Sequence, residues 1–188
     1  MTDDRMPAIP AAQMSEAQRR VAAELVAGPR GALIGPFVPL LRSPELMSRL
    51  QKVGEYLRFQ NSLPAALVEL VVLMTARQWT QRFEWQAHYP IAMRAGLKPE
   101  IAAAIAEGRR PEKMDEDEQT VYEFCVELQQ SKSVSDPSYR RVVERFGEQG
   151  VIDMTALAGY YSTLAMVMNV ARAAIPEHTG IDLPSLPG

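Results

Sequence analysis

The fold of this chain is decided by residues 62–96, which read SLPAALVELVVLMTARQWTQRFEWQAHYPIAMRAG. Two helices are predicted here, one from Ser62 to about residue 78 and one from about residue 80 to Gly96. Pro90 lies inside the second helix, so a kink is expected just after His88. The first helix is apolar around most of its circumference, which is typical of a buried helix. Burial of this helix within the fold is therefore expected.

Capping signals divide the remainder of the chain into further helices. Ser15 to Gln18 and Asp115 to Glu118 both have capping-box spacing. Residues 28–42 combine Gly and Pro with apolar side chains, and we interpret them as an ordered connector. No segment shows sustained period-two alternation, so the predicted fold is all-α with about eight helices. The other predicted helices cover residues 15–28, 43–60, 98–108, 115–131, 136–147 and 151–174.

Length and composition favour one globular domain without a nucleic-acid or membrane partner. The chain has 188 residues, a hydrophobic fraction of 47%, a charged fraction of 23% and a net charge of -3. Its Lys and Arg residues are scattered, which argues against nucleic-acid binding. The longest apolar stretch, residues 63–76, contains Pro64 and Glu69 and is too short to span a bilayer. The N-terminus lacks a hydrophobic signal core, so a cytoplasmic location is expected.

The single cysteine, Cys125, excludes an intrachain disulfide and a C-x-x-C redox pair. It shares helical spacing with Val121, Phe124 and Leu128, which predicts a core position. A buried thiol without a basic neighbour is usually inert.

Glu69 is the first candidate for acid–base chemistry, because it interrupts the most apolar run of the chain. Burial disfavours an ionised carboxylate and raises its pKa, as a general acid or base near neutral pH requires. The competing interpretation is a structural carboxylate that caps a helix or pairs with an arginine.

Glu84 and His88 are four residues apart and therefore share one helix face, on which Gln81 also lies. Aromatic residues surround them, Trp85 and Tyr89 among them. One of the two can orient the other or share a proton with it. The alternatives are a surface ion pair and, with Glu69 as a third ligand, a metal site; no H-x-x-x-H pattern is present, so no metal is expected.

Arginines near this segment are candidates for binding an anionic substrate, because a guanidinium binds a carboxylate in bidentate fashion. They are Arg58, Arg77 and Arg82. The alternative role for each one is a cation at a helix C-terminus. Tyr160 and Tyr161 could also reach a pocket. The second histidine, His178, lies in a Pro- and Gly-containing tail and is expected to be solvated.

The order Glu69, Gln81-x-x-Glu84-x-x-x-His88 and Ala95-Gly96 resembles the carboxymuconolactone decarboxylase family, which also contains the alkylhydroperoxidase D-like proteins. In the peroxidase branch of that family the motif reads Glu, a spacer, C-x-x-C-x-x-x-H and an Ala-Gly helix end. Gln81 and Glu84 stand here at the two cysteine positions. The segment resembles the decarboxylase branch more closely, because that branch has a glutamate in place of the cysteine pair.

The resemblance implies one alkylhydroperoxidase D-like helical domain over residues 1–188. Its core is expected at about residues 35–175, with the N-terminal helix and C-terminal tail peripheral. It further implies assembly as homotrimers or homohexamers and chemistry that needs no cofactor. A dithiol peroxidase requires two thiols, so thiol peroxidase activity is not expected.

The activity implied is that of a lyase of the decarboxylase type acting on a small carboxylated or lactone substrate. His88, Glu84 and Glu69 are the expected catalytic residues, with His88 as proton donor or shuttle. The expected substrate-binding residues are Arg77, Gln81, Trp85 and Tyr89. The alternatives are an alkylhydroperoxidase-like (peroxiredoxin-type) antioxidant protein and a non-catalytic helical ligand-binding homologue.

Overall fold

The computed structural model describes residues 4–175 and 182–184, and these contain helices and no strands. The predicted all-α fold is therefore confirmed for the described residues. A 3-10 turn at Ala11–Gln13 precedes eight helices. The helices are α1 (Glu16–Ala27), α2 (Phe37–Leu40), α3 (Pro44–Phe59), α4 (Ala65–Gln78), α5 (Arg82–Ala95), α6 (Pro99–Ala106), α7 (Glu116–Ser131) and α8 (Asp136–Ala171).

Some helix starts follow the capping signals of the sequence and others differ, as for the helix predicted from Ser62, which begins at Ala65. Both predicted capping boxes form, at Ser15 for α1 and at Asp115 for α7. Ser43 makes no side-chain cap bond, and α3 begins with Pro44 in its first turn. The side chain that caps α8 is Ser135, directly before the helix predicted from residue 136.

Helices α8 and α5 each contain a residue that commonly interrupts a helix. Gly147 interrupts α8 with φ 70° and ψ 176°, as its predicted role as a stop requires, but the helix resumes directly rather than at residue 151. The helix ends at Ala171 with Arg172 in the left-handed region. α5 runs through Pro90 without a break. The connector at residues 28–42 contains the one-turn helix α2.

Helix α4 is the centre of the fold. Its residues 67–77 are all buried, and it packs against α5, α6, α7 and α8. This burial follows from its sequence. A helix surrounded by other helices must be apolar, because polar side chains there would lose their contact with water. α1 packs against α3 at the edge of the bundle.

The hydrophobic core extends beyond the expected limits of residues 35–175. Val21 and Leu25 of α1 are buried in it, and so is Leu183 of the described part of the tail. α1 and Leu183 therefore contribute side chains to the hydrophobic core. His178 lies outside the described residues.

Among the described helices, only α8 has the length and the apolar composition that would allow it to span a membrane. In its most apolar window 56% of the residues are buried within the fold, and a core helix passes the same test. The exposed face of that helix is nevertheless uncharged over several turns: Ile152, Thr155, Ala156, Gly159, Met166 and Val170.

Candidate active site

The short turn between α4 and α5 sets the geometry of the site. Trp79 ends α4, Thr80 has a positive φ of 48°, and Gln81 caps α5. The Gln81 side chain accepts a hydrogen bond from the backbone N–H of Phe83 at 2.7 Å and donates to Asn169 Oδ1 at 2.8 Å. Both ends of its amide are therefore engaged, one in capping α5 and the other in joining α5 to α8.

His88 is the centre of a buried polar cluster that joins α4, α5 and α8. Its Nδ1 lies 2.7 Å from Glu69 Oε2, and its Nε2 lies 3.4 Å from Glu84 Oε2 and 3.3 Å from the hydroxyl of Tyr161. A carboxylate at 2.7 Å favours a proton on Nδ1, which leaves Nε2 directed at Glu84 and Tyr161. The structure therefore brings together the three residues predicted to be catalytic.

Glu84 is nearly inaccessible to solvent and carries an unusual carboxyl group. Burial raises its pKa, against the opposing effects of His88, Arg58 and Arg30. Its Oε1 is buried and has no hydrogen-bond partner among the described residues. Glu84 thus keeps its proton to a higher pH than an ordinary glutamate, and it can share that proton with His88 Nε2.

Tyr161 adds a neutral hydroxyl to the cluster. Its ring meets the imidazole edge-on, with centroids 5.0 Å apart, and burial raises the pKa of its phenol well above the ordinary value. The phenol therefore stays protonated and can donate a hydrogen bond. This residue was only a possible pocket residue from the sequence, because its distance from His88 along the chain, 73 residues, gives no local signal.

The cluster opens onto a cavity of about 250 Å³. Glu84, His88 and Tyr161 form its polar wall, and Arg30 and Arg58 also line it. This volume is below the roughly 300–1,000 Å³ typical of pockets for drug-sized ligands, so it suits a small molecule. Its apolar lining consists of Ala32, Ile34, Pro36, Phe37, Phe83, Ala87, Ile91 and Leu164.

The four residues predicted to bind substrate do not line this cavity. Arg77 donates to the backbone carbonyls of Ala106 and Pro184 and to the Thr80 hydroxyl, so it secures the end of α6 and the tail. Trp85 is fully buried in the core, Tyr89 stacks on Trp85, and Gln81 is the cap of α5. Helical spacing placed these side chains near His88 in sequence, but they point to other neighbours.

The arginines that line the cavity are Arg30 and Arg58. Arg58 of α3, which was a candidate on charge, lines the cavity, whereas Arg82 pairs with Asp182. Arg30 was not predicted at all. The only signal in its favour is its place in the connector 28–42, whose apolar residues indicated an ordered segment.

The two glutamates contact opposite edges of the His88 ring, Glu69 at Nδ1 and Glu84 at Nε2. Residues 4–175 and 182–184 contain no group of three His, Cys, Asp or Glu side chains arranged to bind a metal ion. The cluster is thus organised around one imidazole.

Cys125 lies on α7 in the core and is fully buried. Burial raises the pKa of its thiol to about 12. The predicted core position is confirmed, and the thiol is neither accessible nor ionised near neutral pH.

Comparison with known proteins agrees with the motif. The model of the carboxymuconolactone decarboxylase family matches residues 44–116, which include Glu69, Glu84 and His88. No curated protein matches the sequence significantly.

The fold resembles the crystal structure of ATU0492 from Agrobacterium tumefaciens, a protein of unknown function described as a candidate antioxidant defence protein AhpD. The TM-score is 0.64 at 15% sequence identity, over 73% of this chain and 94% of that one. At this identity the similarity establishes the alkylhydroperoxidase D-like fold alone. Residues 44–116 thus resemble the carboxymuconolactone decarboxylase family, and this segment lacks the C-x-x-C pair.

Proposed function

We propose that this protein is a cofactor-independent acid–base enzyme of the decarboxylase type that acts on a small carboxylated or lactone substrate. The observation that carries the proposal is the buried chain of contacts Glu69–His88–Glu84 at the wall of a small cavity. Such a cluster can hold one proton next to a bound molecule and shield it from exchange with water.

The roles follow from the contacts. Glu69 accepts from Nδ1–H, which orients the imidazole and stabilises it when Nε2 is protonated. Glu84 and His88 Nε2 share the proton that faces the cavity. Tyr161 offers a phenol hydroxyl 3.3 Å from Nε2, where it can donate a hydrogen bond to an oxyanion of the substrate.

In a decarboxylation the bond to the carboxyl carbon breaks and carbon dioxide leaves. The electron pair remains on the substrate carbon and is delocalised onto a neighbouring carbonyl oxygen. Tyr161 would stabilise that oxygen, and the proton held by His88 and Glu84 would pass to the carbon. Water then returns a proton to the cluster. Opening or isomerisation of a lactone requires the same movement of one proton.

Turnover of a panel of lactone acids and β-keto acids tests the proposal. His88→Ala and Glu84→Gln should lower kcat/KM by roughly 10²–10⁴-fold, the usual contribution of a general acid or base. Glu118→Gln is the matched control, because Glu118 is also a buried carboxylate but serves α7 and Lys98 outside the cavity. Near-normal turnover in both site variants, with folding verified by circular dichroism, would show that the site assignment is wrong.

Thiol peroxidase chemistry lacks support in this chain. Gln81 and Glu84 occupy the motif's cysteine positions, and Cys125 is inaccessible with a raised pKa. We expect peroxide consumption to be absent, and to be unchanged by Cys125→Ser. Binding of panel compounds without any product would instead favour the non-catalytic homologue.

Self-association is part of the proposal, because the exposed face of α8 carries apolar and small residues without charge. Ile152 is 67% exposed and Val170 60%. Gly159 lies between them, and a Cβ added there would contact nothing within 4 Å. Gly159→Arg should therefore leave the protomer folded but convert a homotrimer or homohexamer to monomers in light scattering; an unchanged mass would exclude this face as the interface.

A further inference from the structure

The wall of the cavity that faces the acid–base cluster contains two arginines from separate elements, Arg30 of the connector and Arg58 of α3. Neither forms a salt bridge with a carboxylate within residues 4–175 and 182–184. Partly buried cations are normally paired, because loss of hydration is otherwise uncompensated. Two unpaired guanidinium groups on one small cavity indicate that their anion comes from outside the chain.

Arg30 is held in place by contacts that do not neutralise it. Its guanidinium stacks over the Phe37 ring at 4.7 Å, and its Nη2 donates to the Tyr160 hydroxyl at 3.2 Å. Its Nε is buried and has no hydrogen-bond partner in the described structure. A guanidinium fixed at the wall of a cavity is suited to bind a planar oxyanion.

Gly54 shows that this arrangement is built into the packing. A Cβ at this position of α3 would overlap both the Tyr160 hydroxyl and Arg30 Nη2. A mid-helix glycine destabilises a helix relative to alanine, so its presence fits a requirement for close approach. α3 thereby makes room for the Arg30–Tyr160 pair.

The charges around the cavity indicate what net charge the bound anion should carry. When Glu84 and His88 share one proton and Glu69 is ionised, the two arginines leave one uncompensated positive charge. A monoanion balances it, whereas a dianion would face Glu69 and Glu84 with an excess of negative charge. The small volume and the apolar lining exclude a large or strongly hydrated ligand.

We propose that Arg30 and Arg58 form a subsite for the carboxylate of a small monoanionic organic acid and hold its reacting carbon against His88 and Tyr161. The inference rests on the proposed function for the chemistry at His88, but the subsite itself is a matter of binding. The substrate would then be a carboxylic acid with an apolar body, not a neutral lactone or a hydroperoxide. Arg30 and Arg58 determine this specificity and do not move protons.

Isothermal titration with benzoate, crotonate and levulinate tests the subsite without any turnover. At least one of the three acids should bind. Its methyl ester should bind at least roughly tenfold more weakly, because a charge-assisted hydrogen bond is lost. Inorganic phosphate should also bind at least roughly tenfold more weakly than the acid. Arg58→Met and Arg30→Met should each weaken binding by a similar factor. Arg49→Met is the control, since Arg49 is exposed and pairs with Glu45.

Gly54→Ala provides a second variant that keeps both charges but displaces Arg30 and Tyr160, and it should also weaken binding. Failure of all three acids to bind, tighter binding of phosphate, or unchanged affinity in both Arg30→Met and Arg58→Met would overturn the subsite. If carboxylates bind as described while His88→Ala and Glu84→Gln turn substrate over normally, the subsite stands and the proposed acid–base function fails.

Discussion

Glu84→Gln should stabilise the protein at alkaline pH and leave its stability almost unchanged at acid pH. The wild-type carboxyl is buried, with one oxygen unpartnered and the other 3.4 Å from His88 Nε2. Burial raises its pKa in the folded state. Because the folded protein holds this proton more tightly than the unfolded chain, the stability that Glu84 contributes is present below the unfolded pKa and is lost as the pH rises through the folded pKa. A glutamine cannot ionise and does not suffer this loss.

The magnitude follows from linkage. Between the unfolded pKa, near 4.3, and the raised folded pKa, the free energy of unfolding of the wild type falls relative to Glu84→Gln by about 1.4 kcal/mol per pH unit. The difference between the two proteins should then reach a plateau above the folded pKa. The height of that plateau directly measures how far the pKa of Glu84 is raised in the folded protein.

Urea unfolding of both proteins at pH values from 4 to 9 gives this difference. Glu123→Gln is the control with the opposite sign, because the hydrogen bond from Arg110 lowers the pKa of Glu123. Its carboxylate should stabilise the fold above the unfolded pKa and lose that effect as the pH falls. A wild type that gains stability over Glu84→Gln as the pH rises would refute the reasoning, since Glu84 would then be a stabilised ion paired with a protonated His88.

Three further outcomes separate the site from its surroundings. Tyr161→Phe should keep the fold and lower turnover of a true substrate by roughly 10–100-fold, because a donor to a developing oxyanion is lost; normal turnover would remove Tyr161 from the mechanism. Arg77→Met should lower the free energy of unfolding by roughly 1–3 kcal/mol, since buried carbonyls lose their donor, and leave KM unchanged; a raised KM would return Arg77 to the site. Cys125 should not react with a thiol reagent until the protein is unfolded, and rapid labelling of the folded protein would contradict its burial.

Much of the fold could be predicted from local features. Capping boxes at Ser15 and Asp115, Gly147 in α8 and the apolar α4 all act within a few residues of the chain, and the structure agrees with each. The contact between Glu84 and His88 could also be predicted from the sequence, because residues four positions apart share one face of any α-helix. Glu69 was identified by the cost of a carboxylate in an apolar run.

The residues that line the cavity could not be predicted in the same way. Helical spacing places Trp85 and Tyr89 near His88, but it does not say which face of α5 meets the core and which meets the cavity. Arg77 illustrates the same limit, since its partners Ala106 and Pro184 lie on other parts of the chain. An amphipathic pattern orients a helix toward the core as a whole and not toward a particular neighbour.

The sequence by itself determined the helices, the family resemblance and the positions of Glu69, Glu84 and His88 on two helices, because each depends on local spacing or on a short motif. The tertiary structure alone decided what faces His88 across the cavity. Arg30 and Tyr160 are 130 residues apart in the chain, and Tyr161 is 73 residues from His88. Such contacts arise only when α5 and α8 pack on α4 and α3 packs on α8, which brings distant segments together. The cavity and its two unpaired arginines are therefore properties of the assembled core.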